Sequence, residues 1–231
     1  MAVTGFFHHM GTFLLLVATA LLIVTDISAP VVNDLGILKV DLANATSSHH
    51  SKVSFGTFGY CYLDTLAGPD FCSHSHVGYR PARIMTTVEG TDFSHYSDTT
   101  THTLTKVMIL HPIATGIVFL AFVLAVGAGF FGSLLAAFTA LLAFVVTVVV
   151  LVCDFVLFSI IRSNVNDDGT GSHAYYAAGI WTLLVSAVCS LLGTVVIFFT
   201  CCSARMHRQR RVRTTKEVDG YAPPATRRRW F

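Results

Sequence analysis

The sequence predicts an all-α membrane protein built on a bundle of four transmembrane helices. Only 12% of its 231 residues are charged, whereas ordinary soluble domains carry roughly 25%, and the mean hydropathy is +0.65. Almost continuous apolar stretches occupy residues 6–24, 106–161 and 175–202. Because about 20 apolar residues cross a bilayer core, these stretches provide four crossings.

We place the spans at residues 6–25, 108–131, 134–161 and 174–201. Only Gly132 and Ser133 separate the second span from the third, so these two spans must form a tight helical hairpin. An alternative for the first span is a cleaved signal peptide, since Ala18-Thr19-Ala20 resembles a cleavage motif. The length of the apolar run favours a retained span. Residues 1–203 are thus predicted as one membrane domain.

The charge distribution predicts the orientation. Nine of the 15 Lys and Arg residues follow Cys202, and basic residues beside a span favour the cytoplasm. The tail at 204–231, which we expect to be disordered, is therefore placed in the cytoplasm and the large loop at 26–106 outside. The glycosylation sequon that begins at Asn44 lies in this outer loop, on the side where glycans are added.

The start of the tail combines cysteines with a basic cluster. Cys201 and Cys202 at the end of the last span are candidates for S-palmitoylation; the alternative is an inert pair at the membrane boundary. Clustered arginines beside a bilayer attract anionic lipids, and topology and lipid explain this cluster better than nucleic acid does. The predicted lipid-binding residues are Arg205, Arg208, Arg210, Arg211 and Arg213.

Two further cysteines, Cys61 and Cys72, share the predicted outer loop. An extracellular compartment is oxidising, so a disulfide between them would close a small loop there. The alternative is a pair of unpaired thiols.

The residues before Cys61 carry a family resemblance. Residues 56–61 read Gly-Thr-Phe-Gly-Tyr-Cys, and Cys72 follows after ten residues. A pattern of two glycines before a cysteine, here Gly56 and Gly59, in the first outer loop of a four-span protein resembles the claudin-like superfamily. Further segments resemble the fungal PalI family, which is related to the Sur7-type plasma-membrane proteins. These segments are 110–114, 154–158, 176–181 and 201–205.

The resemblance implies both a fold and a role. The implied fold is a claudin-like bundle with a small extracellular antiparallel sheet in the first outer loop, and residues 36–42 and 52–60 have the composition of short strands. Residues 73–105 are expected to be irregular. The implied role is that of an auxiliary plasma-membrane component of ambient-pH signalling, beside a multi-span sensor. Some relatives instead organise membrane domains or act at the cell wall.

Polar residues within the spans are candidates for a site. A charged group in hydrocarbon costs roughly 3 kcal/mol or more, so Asp154 needs a partner or water. Arg162 is eight residues further along the helix, about 12 Å away, which makes a direct pair doubtful. His111 and Thr115 enter the membrane from the same side and are better candidates. Asp154 either fixes helix register or serves sensing or partner contact.

Histidines in the outer loop offer a second, weaker candidate. Histidine titrates near pH 6.5, so acidification would add charge; surface histidines without a function explain the same count. The sequence of His74, Ser75 and His76 suggests a metal site only if the thiolate of Cys72 is free, so we predict no metal. The six histidines are His49, His50, His74, His76, His95 and His102.

No catalytic signature accompanies these features. The sequence has no phosphate-binding glycine loop, no His-Glu-x-x-His and no nucleophile elbow. We therefore predict a protein that is not an enzyme and needs no cofactor. A third alternative role is that of an ion-transport accessory subunit, with Asp154 near the ion path.

Overall fold

The computed structural model describes the backbone of residues 2–43, 51–64, 69–127 and 130–220, with side chains in 6–43, 51–64, 69–127, 132 and 134–203. The described part holds six helices and five strands. The helices are α1 (Ala2–Asp26), α2 (Pro81–Glu89), α3 (His95–Val107), α4 (Leu110–Val126), α5 (Phe130–Asp167) and α6 (Ala178–Gly220). The strands are β1 (Leu38–Asp41), β2 (Lys52–Phe55), β3 (Tyr60–Leu63), β4 (Phe71–Cys72) and β5 (His173–Tyr176).

Four segments are long and apolar enough to cross a membrane, which confirms the predicted number of spans. They are Phe6–Asp26, His95–Val126, Leu134–Asp167 and Ala178–Ser203. The second of these joins α3 to α4 across a break at Met108 and Ile109. A bilayer environment follows, because a helix satisfies its backbone polar groups internally and can therefore place an apolar surface in hydrocarbon.

Small residues line the contacts between the helices of the bundle. Ala114, Ala121 and Ala125 are buried on α4, and Ala136 and Ala140 are buried on α5. Small side chains let helix backbones approach closely where no hydrophobic effect drives them together.

A close approach of helix backbones joins α1 to α6. A Cβ atom added at Gly11 would lie 2.9 Å from Cγ1 of Ile197 and 3.3 Å from the carbonyl oxygen of Gly193. A Cβ atom added at Gly193 would lie 3.1 Å from Cδ2 of Leu15. These two glycines therefore define the crossing between the first and the last helix.

A five-stranded antiparallel sheet covers one end of the bundle. We call this end of the molecule, with the sheet and the helices packed on it, the sheet end. Its strand order is β4-β3-β2-β1-β5. The sheet confirms the predicted fold class, but β5 comes from the second loop and pairs Val40 with Ala174 and Leu38 with Tyr176. The fourth span therefore begins at Ala178 rather than at residue 174, because residues 173–176 pair with β1 instead of continuing the helix.

The sheet packs on α2, α3 and the last turns of α5. Helix α5 has 38 residues, about 57 Å, and so extends well past a hydrocarbon core of about 30 Å. The shared core at the sheet end contains side chains from the strands and from these helices: Ile37, Leu38, Val40, Val53, Phe55, Tyr79, Met85, Met108, Leu157, Phe158, Ile161 and Val165.

The prediction that residues 73–105 are irregular is wrong, because this segment contains α2 and α3. Helix α2 has Pro81 in its first turn and is capped at its C-terminus by Gly90, whose φ of 77° is left-handed. Helix α3 begins after Ser94, whose side chain accepts a hydrogen bond from the amide of Ser97. The buried face of α3 consists of Thr101 and Thr105, and a face of threonines has no hydropathy period to detect.

Three predicted boundaries also move. Helix α4 ends at Val126 and α5 begins at Phe130, so Gly132 and Ser133 lie within α5 and not in the turn. The third span continues past residue 161 to Asp167. The backbone of α6 is helical as far as Gly220, so residues 204–220 are not irregular; their side chains lie outside the described part.

Candidate functional site

The main polar feature of the membrane domain is a buried contact between two predicted residues, His111 on α4 and Asp154 on α5. Nε2 of His111 lies 3.0 Å from Oδ2 of Asp154, and the two side chains are 0% and 2% exposed. The eight-residue gap to Arg162 excludes a pair on the same helix, and Arg162 instead lies 5.4 Å from the ring centre of Tyr176. The pair links the second span to the third.

A second carboxylate lies near this pair, and sequence reasoning missed it. The hydroxyl of Thr115, one turn after His111, donates to Oδ2 of Asp26 at 2.6 Å. The other oxygen of Asp26 is buried without a partner among the described residues. Asp26 is the last residue of α1. An acidic residue at the end of an apolar stretch is the sequence feature that could have identified it. Three helices thus contribute polar groups to one region of the bundle.

Hydroxyl groups connect the bundle to the loop before β3. The hydroxyls of Thr25 and Thr182 lie 3.0 Å apart and join α1 to α6. Thr57 donates to the carbonyl of Thr25 at 3.0 Å, and its own amide donates to the hydroxyl of Ser28. The loop is therefore fixed to the end of α1 by satisfied, buried hydrogen bonds.

The glycines of the family motif lie in this same loop because larger residues do not fit there. A Cβ atom at Gly56 would collide with the carbonyl oxygen of Ala29, and one at Gly59 would collide with the hydroxyl of Ser73. The amide of Gly56 donates to the carbonyl of Gly59 at 2.9 Å. The motif is thus a tight turn pressed against the segment after α1.

The predicted cysteine pair follows this turn. Cys61 on β3 faces Cys72 on β4 in antiparallel register, and the two form a disulfide. The disulfide therefore ties the sheet's edge strand β4 to β3, immediately after the glycine turn.

An open groove of about 310 Å³ lies between β3 and α2. Tyr60 and Tyr62 on β3 form one wall, and Arg80, which precedes α2, and Arg83 on α2 form the other. Tyr79 also lines the groove. The hydroxyl of Tyr79 donates to the carbonyl of Gly56 at 2.7 Å. Burial raises the pKa of Tyr62 and of Tyr79 well above the ordinary value, so both hydroxyls stay neutral at physiological pH. Nothing in the sequence pattern identified this groove.

The other predicted residues do not assemble into one site. At the end of the fourth span, Ala178–Ser203, Cys201 is buried and Cys202 is exposed. His74 and His76 are exposed, and Nδ1 of His76 lies 2.8 Å from the carbonyl oxygen of His74. No group of three or more potential metal ligands occurs within the described ranges.

Several predicted sites lie outside the described side chains. They are Asn44, His49 and His50 in the outer loop and Arg205, Arg208, Arg210, Arg211 and Arg213 in the tail. Glycosylation of Asn44 and lipid binding by the arginines therefore stay predictions.

Comparisons with known proteins agree with this architecture. The family model described as SUR7/PalI matches residues 2–193. A pH-response regulator protein, palI, of Emericella nidulans is 32% identical over 118 residues, which are 51% of this chain and 18% of the relative. Its counterpart in Neurospora crassa is 31% identical over 144 residues, 62% of this chain and 18% of the relative.

The chain thus spans less than a fifth of the length of either regulator. The matched region of the family model nevertheless includes the glycine motif, the disulfide and the His111–Asp154 contact. The four spans with their small sheet have the claudin-like architecture that the sequence predicted. The chain is a multi-pass membrane protein and belongs to the SUR7/PalI family.

Proposed function

We propose that this protein is a non-catalytic auxiliary component of fungal ambient-pH signalling, which places or stabilises a multi-span sensor in the plasma membrane. The observation that carries the proposal is the similarity to two pH-response regulators, at 32% and 31% identity. The similarity covers part of each relative, so the partner and the step in signalling belong to the proposal.

The architecture is compatible with a supporting role. The sheet end is one packed unit, fixed to the bundle by the hydroxyl contacts of Thr25 and Thr57. The membrane face presents large apolar side chains, among them Phe198 at 51% and Phe199 at 67% exposure. A packed sheet end and an apolar helix face would allow this protein to contact another membrane protein both outside and within the bilayer.

We propose that the sheet end faces the outside and that α6 leads into the cytoplasm. Nine of the 15 Lys and Arg residues follow Cys202, and such residues are retained in the cytoplasm. The disulfide between Cys61 and Cys72 supports the same orientation, because disulfides persist in oxidising compartments.

The role is tested by deleting the gene in its host and measuring growth and alkaline-response signalling in alkaline medium. We expect signalling to be lost and to be restored by the wild-type chain. We expect Cys61→Ser to restore it poorly, because the edge strand loses its link to β3. Ser163→Ala, an exposed position on α5, is the matched control and should restore signalling fully.

Normal signalling in the deletion strain would reject this role. It would favour the second candidate function, the organisation of membrane domains or of contact with the cell wall, which the SUR7 part of the family name supports. That candidate predicts a patchy surface distribution with normal alkaline growth. A third candidate, an ion-transport accessory, rests on Asp154, and Asp154→Asn with normal ion fluxes would reject it.

The orientation has its own test at Asn44. If the loop is outside, an N-glycan attaches there, and treatment with a glycosidase increases the gel mobility of the wild-type chain. The Asn44→Gln variant should show the higher mobility before treatment and no further change. A wild-type chain that is insensitive to the enzyme, with a mobility equal to that of Asn44→Gln, would contradict glycosylation at this position.

A further inference from the structure

The groove between β3 and α2 has two chemically different walls. Its volume of about 310 Å³ lies at the lower end of the range of small-molecule sites, about 300–1,000 Å³. One wall is aromatic and the other carries two arginines. This combination differs from the exposed surfaces of the spans, which are mainly apolar.

The aromatic wall is fixed in place by the sheet. Alternate residues of a strand point to the same face, so Tyr60 and Tyr62 lie side by side, with ring centres 5.3 Å apart. Phe71 on β4 is 58% exposed and extends the wall, with its ring 6.2 Å from that of Tyr62. The disulfide between Cys61 and Cys72 joins the same two strands on the opposite face of the sheet. The planes of the Tyr62 and Phe71 rings are 21° apart, whereas the ring of Tyr60 stands at 77° to that of Tyr62. The wall therefore presents several aromatic rings held in place by the sheet.

The cationic wall has more positive than negative charge. Nη1 of Arg80 lies 3.7 Å and Nε of Arg83 lies 3.6 Å from the same oxygen of Asp98 on α3. Among the described residues, Asp98 is the only carboxylate within ion-pair distance of either guanidinium. Each contact engages one of three guanidinium nitrogens. Two arginines that share one acid keep a net positive charge, and Asp98 holds both near the groove.

We propose that this groove binds an acidic saccharide from the aqueous side: a sugar ring that carries a carboxylate or phosphate. The apolar face of the sugar ring stacks on Tyr62, with Tyr60 standing edge-on beside it, and the anionic group pairs with Arg80 and Arg83. Aromatic side chains offer a large apolar face, and arginine pairs with planar oxyanions through two parallel hydrogen bonds. The size of the groove suits one or two rings.

Each wall argues against a simpler ligand. An inorganic anion would use the arginines and leave the aromatic platform in water. A neutral sugar would stack but leave two guanidinium groups without an added partner. A sugar ring with an acidic group satisfies both walls at once. Saccharide binding is measured separately from signalling, so this inference and the proposed role in pH signalling can fail independently.

The test is isothermal titration calorimetry with the full chain in nanodiscs of phosphatidylcholine, which supplies no acidic headgroup. The probes are digalacturonic acid, its neutral analogue digalactose, and inorganic phosphate. We expect digalacturonic acid to bind about tenfold more tightly than digalactose, because the charge-assisted bonds are lost in the neutral sugar. Inorganic phosphate should bind more weakly than digalacturonic acid.

Variants separate the two walls. Arg83→Gln should weaken binding of digalacturonic acid about tenfold and leave digalactose unaffected, whereas Tyr62→Ala should weaken both sugars about fivefold. Lys52→Gln is the matched control, since it removes an exposed cation that pairs with Asp64 at 3.4 Å away from the groove. Retention of the disulfide and of the thermal midpoint shows that each variant is folded.

Three results would overturn the proposal. The first is equal affinity for the acidic and the neutral sugar, or no heat with either. The second is phosphate binding as tightly as digalacturonic acid. The third is a loss of affinity in Lys52→Gln as large as that in Arg83→Gln, which would indicate general attraction of anions.

Discussion

At the scale of single residues, the contact between His111 and Asp154 is the strongest constraint on the bundle. Both side chains are almost completely buried. The net contribution of a buried polar pair to stability is small, but the loss of stability on removing one partner is large. Removing one partner leaves the other buried without a polar contact. Replacing both with apolar residues leaves no unpaired polar group, and the new side chains only have to fill the space. The pair therefore fixes how α4 meets α5.

This reasoning predicts a non-additive result. His111→Leu and Asp154→Leu should each lower the free energy of unfolding by about 3 kcal/mol, and the double variant should recover most of that loss. Chemical unfolding in detergent micelles, followed by circular dichroism, measures the cycle. Additive losses in the double variant would show that the two side chains do not depend on each other.

Glu89 at the sheet end predicts a dependence of stability on pH. One oxygen of Glu89 is buried without a partner among the described residues. Burial raises the pKa of Glu89 above 4.5, a backbone hydrogen bond at Ala43 partly opposes this, and the carboxylate of Asp168 raises it further. An acid with a raised pKa in the folded state favours folding below the unfolded value, and this contribution is lost as pH rises through the folded value.

Glu89→Gln should therefore raise the thermal midpoint in neutral and alkaline buffer and have no such benefit below pH 4.5. The comparison is a thermal unfolding series over pH for both chains. Glu89 is partly exposed, so we expect a small effect. Thr87→Gln, at an exposed position on the same helix, is the control that should show no pH-dependent difference. A stabilisation of Glu89→Gln that grows on acidification would have the wrong sign.

At the scale of elements, the crossing of α1 and α6 depends on two glycines. Gly11 and Gly193 face each other so closely that an added methyl group at either meets atoms of the opposite helix. The alanines on α4 and α5 follow the same principle at a second interface. The sequences of the second, third and fourth spans contain small residues four apart, but only the packing shows which of them lie at an interface.

Gly193→Val should destabilise the chain by about 2 kcal/mol, because the added branches overpack the crossing. Gly116→Val on α4 is the matched control, since an added Cβ atom there meets nothing within 4 Å. Thermal unfolding in detergent compares the two variants. Equal effects at both glycines would show that the loss comes from the backbone of glycine and not from the crossing.

At the scale of the whole molecule, the sheet end is attached to the bundle where β5 leads into α6. The amide of Gly179 donates to the carbonyl of Gly36 at 2.9 Å, and the amide of Ala177 donates to that of Ile37 at 2.9 Å. A Cβ atom at Gly179 would lie 2.8 Å from the carbonyl oxygen of Gly36. The first loop and the last helix are therefore joined directly through their backbones.

Gly179→Val should separate β1 from β5 while the membrane helices remain folded. Hydrogen exchange measured by mass spectrometry should show faster exchange in peptides of β1 and β5, with unchanged protection in the membrane part of α5. Trp181→Val, at a 55% exposed position on the same helix, is the control. Unchanged protection of both strands would mean that this contact does not hold the sheet.

The site was predictable only in part. The acid in the third span and the histidine in the second were identified because a charged group in lipid needs a partner. Asp26 was not identified, since it ends a span where acids are ordinary. The groove was not identified either, because it joins two tyrosines of β3 to Arg80, just before α2, and to Arg83 on α2, and no local pattern connects them.

The sequence by itself determined the number of spans, their approximate positions and the glycine turn before Cys61, because lipid selects local length and hydropathy and because a tight turn selects glycine. Only the tertiary structure decided the rest: that residues 173–176 form a strand, that threonine-rich residues form α3, and that Gly11 meets Gly193. Each depends on contacts between residues far apart in the chain, and local composition carries no information about such contacts.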